Sequence, residues 1–483
     1  MTTNASAGDG SLRVPPQLRD RRDRATEPLD SRRPSAARWT RRALMVGAAG
    51  AGASLLAACA VGSSGGTAGE AAPPSKGPVS LRYVHTWGAP FTPQLEQLMA
   101  DFSARHPQVK AEQVRSNGEI HQALITALAG GEPPDVTMLW RSNMPGFAAK
   151  NSLTVLDPYL ARDKFDRSIY YENELKSSQF LGKTYALPAA AAGAWYLLFY
   201  NQAHFREAGL DVARPPQTWD EVTRDVARLL KRGSDGRIER IGFDPGAYDA
   251  GTFNSYFTAW LMANGGTYCS EDGRTLLFDS PQAAGMLDWM LQVLRQNGGK
   301  DAVAEFFGRA RKNTHQALLS GERAMYVTNH SLPANAALVP EFQYGIGLLP
   351  RGSQNGARGI VRGGWANAIP KGVPAPHESW LLLQYLSASV EGGGRFMVQQ
   401  VRPSPIKAVN ESPTLKALPH WEVIKQALAT DTLAPTTPMD PEIDKLTAKV
   451  LLDVYAGAAP KEAVAFAQRE GQRLLDEFWA GVK

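Results

Sequence analysis

Apolar and polar positions between residues 79 and 140 follow two periods in turn. Val79 to His85 is β-rich, lies between Pro78 and Gly88, and reads as a strand. Thr92-Pro93 then predicts a helix start, with Thr92 as N-cap and Pro93 at the first helical position. Leu95, Leu98, Met99 and Phe102 repeat at the spacing of one buried helical face, and His106-Pro107 ends it. Val109 to Val114 is a second strand. Ile120, Leu124 and Leu128 mark another helical stripe, closed by Gly130-Gly131, and Val136 to Leu139 is a third strand. The order β-α-β-α-β predicts an α/β fold with a mainly parallel sheet flanked by helices. Ligands of such sheets bind outside the carboxyl ends of the strands. That rule directs attention to Trp87-Gly88 and to Trp140-Arg141.

Further along, Leu181 to Pro188 reads as a hairpin and Trp195 to Tyr200 as an apolar strand. The run Ala189 to Ala194 between them carries only small residues, and suits a place where the chain crosses between lobes. Thr218 and Glu221 stand at capping-box spacing before a helix through Val222, Val226 and Leu229. Ser280-Pro281 starts another helix. Arg323–Thr328 and Gly345–Leu348 read as strands, Leu382–Leu386 as helix, and the stretch from Pro441 as helical.

The amino-terminal segment changes the picture of the whole. Arg41 and Arg42 precede an uncharged run from Ala43 to Ala58, which ends in Leu56-Ala57-Ala58-Cys59. Sixteen residues of mostly Ala, Gly and Leu are too short and too weakly apolar for a membrane span, and fit a signal segment. Paired arginines, apolar run and small residues before a cysteine predict a twin-arginine lipoprotein signal over 1–58, with Cys59 as the lipidated residue. The Gly/Ser/Pro-rich stretch 59–78 is expected to be a flexible tether. Residues 1–58 also hold ten arginines against five acidic residues. Removing them from the chain's 52 basic and 47 acidic residues leaves 42 of each. The body is charge-balanced, which removes the support for a nucleic-acid partner or a polybasic membrane patch.

Chemistry-bearing motifs are scarce. No G-x-S-x-G elbow, phosphate loop, HExxH or EF-hand sequence occurs. With Cys59 lipidated, Cys269 stands alone, so neither a disulfide framework nor a CxxC metal site is possible, and it is expected to be a buried apolar residue. Neither metal nor cofactor is expected, and nothing asks for an enzyme. What remains is aromatic: eleven tryptophans. Aromatic faces stack on the C–H faces of sugar rings, while amides, hydroxyls and guanidinium groups bond the hydroxyls. Trp219, Trp260, Trp289, Trp380 and Trp479 sit in helical patterns and are expected to be core.

A set of segments then occurs in fixed order. It comprises Glu132-Pro133-Pro134-Asp135-Val136, Lys183 to Pro188, Phe199-Tyr200-Asn201, Ala208-Gly209-Leu210 and the Pro215-to-Glu221 stretch. Ala263-Asn264-Gly265-Gly266, Ser320 to Met325 and Gly363-Gly364-Trp365 complete it. The chain thereby resembles the substrate-binding proteins of ABC importers, family 1 or maltose-binding type, over nearly all of the body. The resemblance implies a two-lobed periplasmic binding protein fold (type II), each lobe a mainly parallel sheet flanked by helices, joined by a hinge. It implies lobes at 79–192 plus 360–401 and at 193–359 plus 402–483. It implies a monomer that captures a carbohydrate between its lobes and delivers it to ABC permease subunits, and the lipid expected on Cys59 would hold it at the outer face of the cell membrane. Carried over by position, the site comprises Trp87, Trp140, Arg141, Trp195, Asn254, Ser255, His330, Gly364, Trp365 and Arg402. Ala194 stands where the family's best-known member has an acidic sugar-binding side chain, so polar recognition is expected to differ. A glycerol 3-phosphate or polyol ligand, with Arg141 and Arg402 on the phosphate, is the alternative within the same fold. A secreted lipoprotein hydrolase is the alternative of another class.

Overall fold

The structure, a computed structural model, describes residues 70–116, 119–246, 256–309 and 314–482. The expected signal segment, Cys59, Arg41 and Arg42, and the expected ligand residues Asn254 and Ser255, lie outside the described residues.

The first strands fall where the pattern put them: β1 (Val79–His85), β2 (Val109–Arg115) and β3 (Val136–Trp140). β1 pairs parallel with β2 over seven residues and with β3 at Tyr83 and Val84. The helix between β1 and β2 spans Thr92–Arg105 and buries Leu95, Leu98, Met99 and Phe102. Its start differs from the expectation. A short 3-10 turn over Ala89–Phe91 runs straight into it, so Phe91 takes the cap position and Thr92 is already helical. Two later segments complete the sheet, β4 (Ala186–Pro188) and, far along the chain, Trp365–Ala368. The latter runs antiparallel to both β3 and β4 and closes the five-stranded order.

The second sheet is built from β5 (Leu197–Asn201), β6 (Met325–Thr328) and β7 (Tyr344–Leu348). It corrects the expectation of a mainly parallel sheet in each lobe. β5 lies in the centre and pairs antiparallel with both neighbours. All fourteen residues of these strands are buried, as a sheet covered on both faces requires. A separate short parallel pair joins β8 (Ile360–Val361) to Thr432–Leu433. With the Trp365–Ala368 strand named β9 and Thr432–Leu433 named β10, the chain passes between the two sheets from β4 to β5 and returns from β7 through β8 to β9.

Each sheet carries its own core. Trp380 and Phe102 anchor the first. Trp219, Trp260 and Trp289 anchor the second, where the rings of Trp219 and Trp289 stack at 4.1 Å and 10°. The helix Trp219–Leu229 starts with the expected capping box between Thr218 and Glu221. Trp479, on the last helix, is half-buried with the Arg274 guanidinium 3.9 Å over its ring. Cys269 is buried and unpaired, and burial pushes its thiol well above the ordinary range. The described part of the expected tether is not free. Ala71 and Ala72 pack on the first core, and Ser75 donates from both N–H and hydroxyl to the Glu378 carboxylate at 2.8 Å.

Candidate functional site

Three of the expected tryptophans meet where the chain crosses between the sheets. Trp140 ends β3 and Trp365 begins β9, and antiparallel pairing sets the two residues directly opposite one another. Their rings meet edge to face at 4.9 Å and 77°. Trp195 lies at the far end of the first crossing and meets Trp140 the same way, at 5.0 Å and 72°. Such geometry suits the quadrupoles of the rings.

From there the contacts continue. The His330 ring stands edge-on to Trp195 at 5.7 Å. Arg402 shares this neighbourhood: its charge acts on His330, and its guanidinium lies 5.8 Å from the Trp87 ring centroid. Trp87 in turn packs edge to face on Phe396. The structure therefore gathers Trp87, Trp140, Trp195, His330, Gly364, Trp365 and Arg402 into one continuous region, drawing on the ends of β1, β3 and β9, the first crossing, and segments 330 and 402.

Local chemistry explains several of these placements. β1 pairs with β3 at Tyr83 and Val84, and the Trp140 N–H, three residues beyond Thr137, meets a side chain. His121 Nε2 accepts it at 3.0 Å, so the imidazole is neutral with its proton on Nδ1, facing Glu119 at 3.0 Å. Burial lowers the His121 pKa, in keeping with that form. At Trp87 the same device recurs, with its N–H donating to His85 Nδ1 at 3.1 Å. Gly363 and Gly364 both have positive φ, of 78° and 76°. A Cβ at 363 would come within 2.7 Å of the Trp140 ring and one at 364 within 2.9 Å of Ala192 Cβ, so both handedness and space call for glycine.

The small-residue run now has a physical reason. Ala189 to Gly193 is a backbone gripped from several sides. Glu174 Oε1 accepts the N–H groups of Ala192 and Gly193, at 2.5 and 2.8 Å. Arg141 Nη2 donates to Ala190 O at 2.5 Å, and His330 Nε2 donates to Ala191 O at 3.0 Å. Ala189 and Ala190 both donate to Trp365 O. Opposite them, Asp431 Oδ2 lies only 2.1 Å from where a Gly193 Cβ would be. Even a methyl group at 193 would displace Asp431.

Two expected ligand residues have their polar atoms turned to this task. Arg141 is 1% exposed. Its Nη1 donates to Glu174 Oε2 at 2.6 Å and to Ser177 Oγ at 2.8 Å, and its Nη2 to Ala190 O and Trp365 O. Four of its five N–H groups are thus held inside the protein. His330 is fully buried; burial first, then the Arg402 charge, push its pKa down to about 3. It is a neutral donor to the crossing.

Sequence reasoning missed Glu174, Asn173 and Asp431. Glu174 lies in a polar helical turn, Glu172–Lys176, that reads as solvated. Asp431 follows the Trp421–Ala429 helix. Asn173 Nδ2 donates to both Asp431 Oδ1 (2.8 Å) and Asp431 O (3.0 Å), while Asp431 Oδ2 is buried without a partner. Burial raises the Asp431 pKa to about 7; the Asn173 bond opposes this and the neighbouring Glu174 carboxylate adds to it. The one available signal was the run Ala189–Ala194 itself, since a segment without side chains invites its neighbours' polar groups.

Two lobes joined by repeated crossings, with aromatic rings gathered at the join, define the class: a two-lobed periplasmic binding protein. Among the described residues no group of His, Cys, Asp or Glu is placed to hold a metal ion, and no helix is long and apolar enough to cross a membrane. Residues 88–390 match the family model of the bacterial extracellular solute-binding proteins, and the chain belongs to that family. Among curated relatives it is similar to the sn-glycerol-3-phosphate-binding periplasmic protein UgpB of Yersinia pestis, 23% identical over 301 residues, covering 59% of this chain. The UgpB of Pectobacterium atrosepticum is 23% identical over 337 residues, with 67% of this chain and 69% of the relative covered. The chain spans 64% of the length of the Yersinia relative. Among solved structures, the mannotriose-bound protein CpMnBP1 aligns with a TM-score of 0.68 at 23% identity, over 81% of this chain and 99% of that one. The sugar-binding protein MalE of Xanthomonas citri aligns with a TM-score of 0.68 at 20% identity, over 82% and 98%.

Proposed function

We propose that the protein is the solute-binding component of an ABC importer and that its solute is a neutral carbohydrate, a mono- or oligosaccharide. The carrying observation is the meeting of Trp140, Trp195 and Trp365 at the crossing between the lobes. Trp365 is half-buried while Trp140 and Trp195 are 8% and 5% exposed, so a sugar C–H face would stack on what the Trp365 ring leaves open, with the two buried rings supporting it and excluding water. The commitment of Arg141 to Glu174 speaks against a phosphate clamp built on that residue, since four of its donors are already in use. Arg402 keeps the polyol-phosphate reading testable: the relatives named above for glycerol 3-phosphate share the family, and a guanidinium beside Trp87 suits an anion as well as a hydroxyl.

In this reading the protein works as a monomer by capture and release, without turnover. Its lobes are bounded at 79–192 plus 360–401 and 193–359 plus 402–483. Cys59 carries the lipid that holds it to the outer face of the membrane after twin-arginine export, near its permease subunits. Melting temperatures measured across a panel of sugars and polyol phosphates test the reading. Stabilisation by one or more sugars is expected. Stabilisation by glycerol 3-phosphate alone would overturn the neutral-solute assignment, and hydrolysis of a bound glycoside would overturn capture without turnover.

A further inference from the structure

The three tryptophans share more than their ring contacts, because the backbone of each leads within one or two hydrogen bonds to a single buried ion pair. Trp140 immediately precedes Arg141, and Arg141 N–H donates to Gly364 O at 2.9 Å, next to Trp365. Arg141 Nη2 reaches Trp365 O at 3.5 Å and Ala190 O at 2.5 Å. Trp195 N–H donates to Ala192 O at 3.0 Å, and the N–H groups of Ala192 and Gly193 end on Glu174 Oε1. Glu174 Oε2 closes the circuit on Arg141 Nη1 at 2.6 Å, with the two side chains 0% and 1% exposed. A buried ion pair is a poor source of net stability, because desolvation offsets most of its attraction. It is a good source of fixed geometry, because neither partner can be satisfied anywhere else.

We propose that Glu174, acting through Arg141 and the backbone of Ala192 and Gly193, is the positioning residue that sets the three tryptophan rings of the solute site without touching the solute. The proposal rests on the solute-site reading above. One anion orders the first crossing through Oε1 and the returning segment through Oε2, so the two walls of the site cannot move independently.

The test labels the full mature chain with 5-fluorotryptophan. The fluorine resonances of Trp140, Trp195 and Trp365 are assigned by single Trp→Phe variants, and no solute is added. In Glu174→Ala these three resonances are expected to shift or broaden together, while those of Trp219, Trp289 and Trp380 stay. Glu174→Gln keeps an acceptor for Ala192 and Gly193 and is expected to move them less. Breaking a distant ion pair, Arg240 with Glu207, by Glu207→Ala is expected to leave all six in place. If Glu174→Ala does not fold, Arg141→Lys decides. It keeps a charge for Glu174 but loses the fork to Ala190 and Trp365, and the Trp140 and Trp365 resonances are expected to move. Unmoved site resonances in the folded variants overturn the proposal. For any sugar that stabilises the wild type, Glu174→Ala is expected to weaken binding by about 100-fold and Glu174→Gln by about tenfold. Shifts in the fluorine spectrum with no sugar bound by the wild type would leave the positioning role standing and remove the carbohydrate.

Discussion

The partnerless oxygen of Asp431 leads to a pH dependence whose sign and size follow from its surroundings. Asp431 lies between the two lobes' crossings, with Asn173 on Oδ1 and Oδ2 buried against Gly193. Ionising it in this place costs free energy, and its pKa rises from 3.8 to about 7. A raised carboxylate pKa means that the native state binds a proton where the unfolded chain has released one. Its contribution to stability is therefore fully present below about pH 4 and is lost as pH rises through about 7. At about 1.4 kcal/mol per tenfold change in proton affinity, the loss between about pH 5 and about pH 8 is on the order of 2.5 kcal/mol. Asp431→Asn keeps an acceptor for Asn173 and cannot ionise, so it serves as the reference that cancels every other titrating group. Urea midpoints of both proteins at several pH values and constant salt supply the difference. The wild type is expected to lose about 2.5 kcal/mol relative to Asp431→Asn across that range. A difference that does not change with pH, or a wild type that loses stability relative to Asp431→Asn as pH falls, would refute the reasoning.

Three further outcomes are expected. Gly364→Ala places a Cβ at positive φ and against Ala192, and is expected to cost about 2 kcal/mol in denaturant midpoints; Ala192→Gly in the same chain relieves the clash but not the backbone strain, and restores only part of it. Trp289→Ala removes a ring stacked on Trp219 and a hydrogen bond to Thr223, at a cost of about 3–5 kcal/mol, with affinity for any stabilising sugar unchanged in titration calorimetry. Cys269 is buried with its thiol held protonated, so a thiol-specific reagent is expected to label it only at the rate of unfolding; prompt labelling of the native chain would contradict its placement.

How much was legible in the sequence follows the range of the forces involved. The stripe Leu95, Leu98, Met99, Phe102 and the capping box at Thr218 are local devices, and the structure contains them where the pattern put them. Trp87 and Trp140 were singled out from their position after strand ends, and the structure brings both into the region where the chain crosses between the sheets. The antiparallel second sheet was not legible. Its central strand pairs with segments more than a hundred residues away, and a buried apolar run reads the same in either direction. Arg141 was read as a ligand residue because it follows a strand end. Only the folded chain shows that a glutamate 33 residues later takes up its charge.

By itself, then, the sequence determined the alternation of strands and helices, the charge balance of the body, the family resemblance and the small-residue crossing. Each depends on neighbours in the chain, on composition or on ordered motifs. Only the tertiary structure decided which rings meet, which way the second sheet runs, and which buried charges hold the crossing. These are contacts between distant segments. A polar residue such as Glu174 looks solvated until the fold removes the water around it and leaves two backbone N–H groups and one guanidinium as its partners.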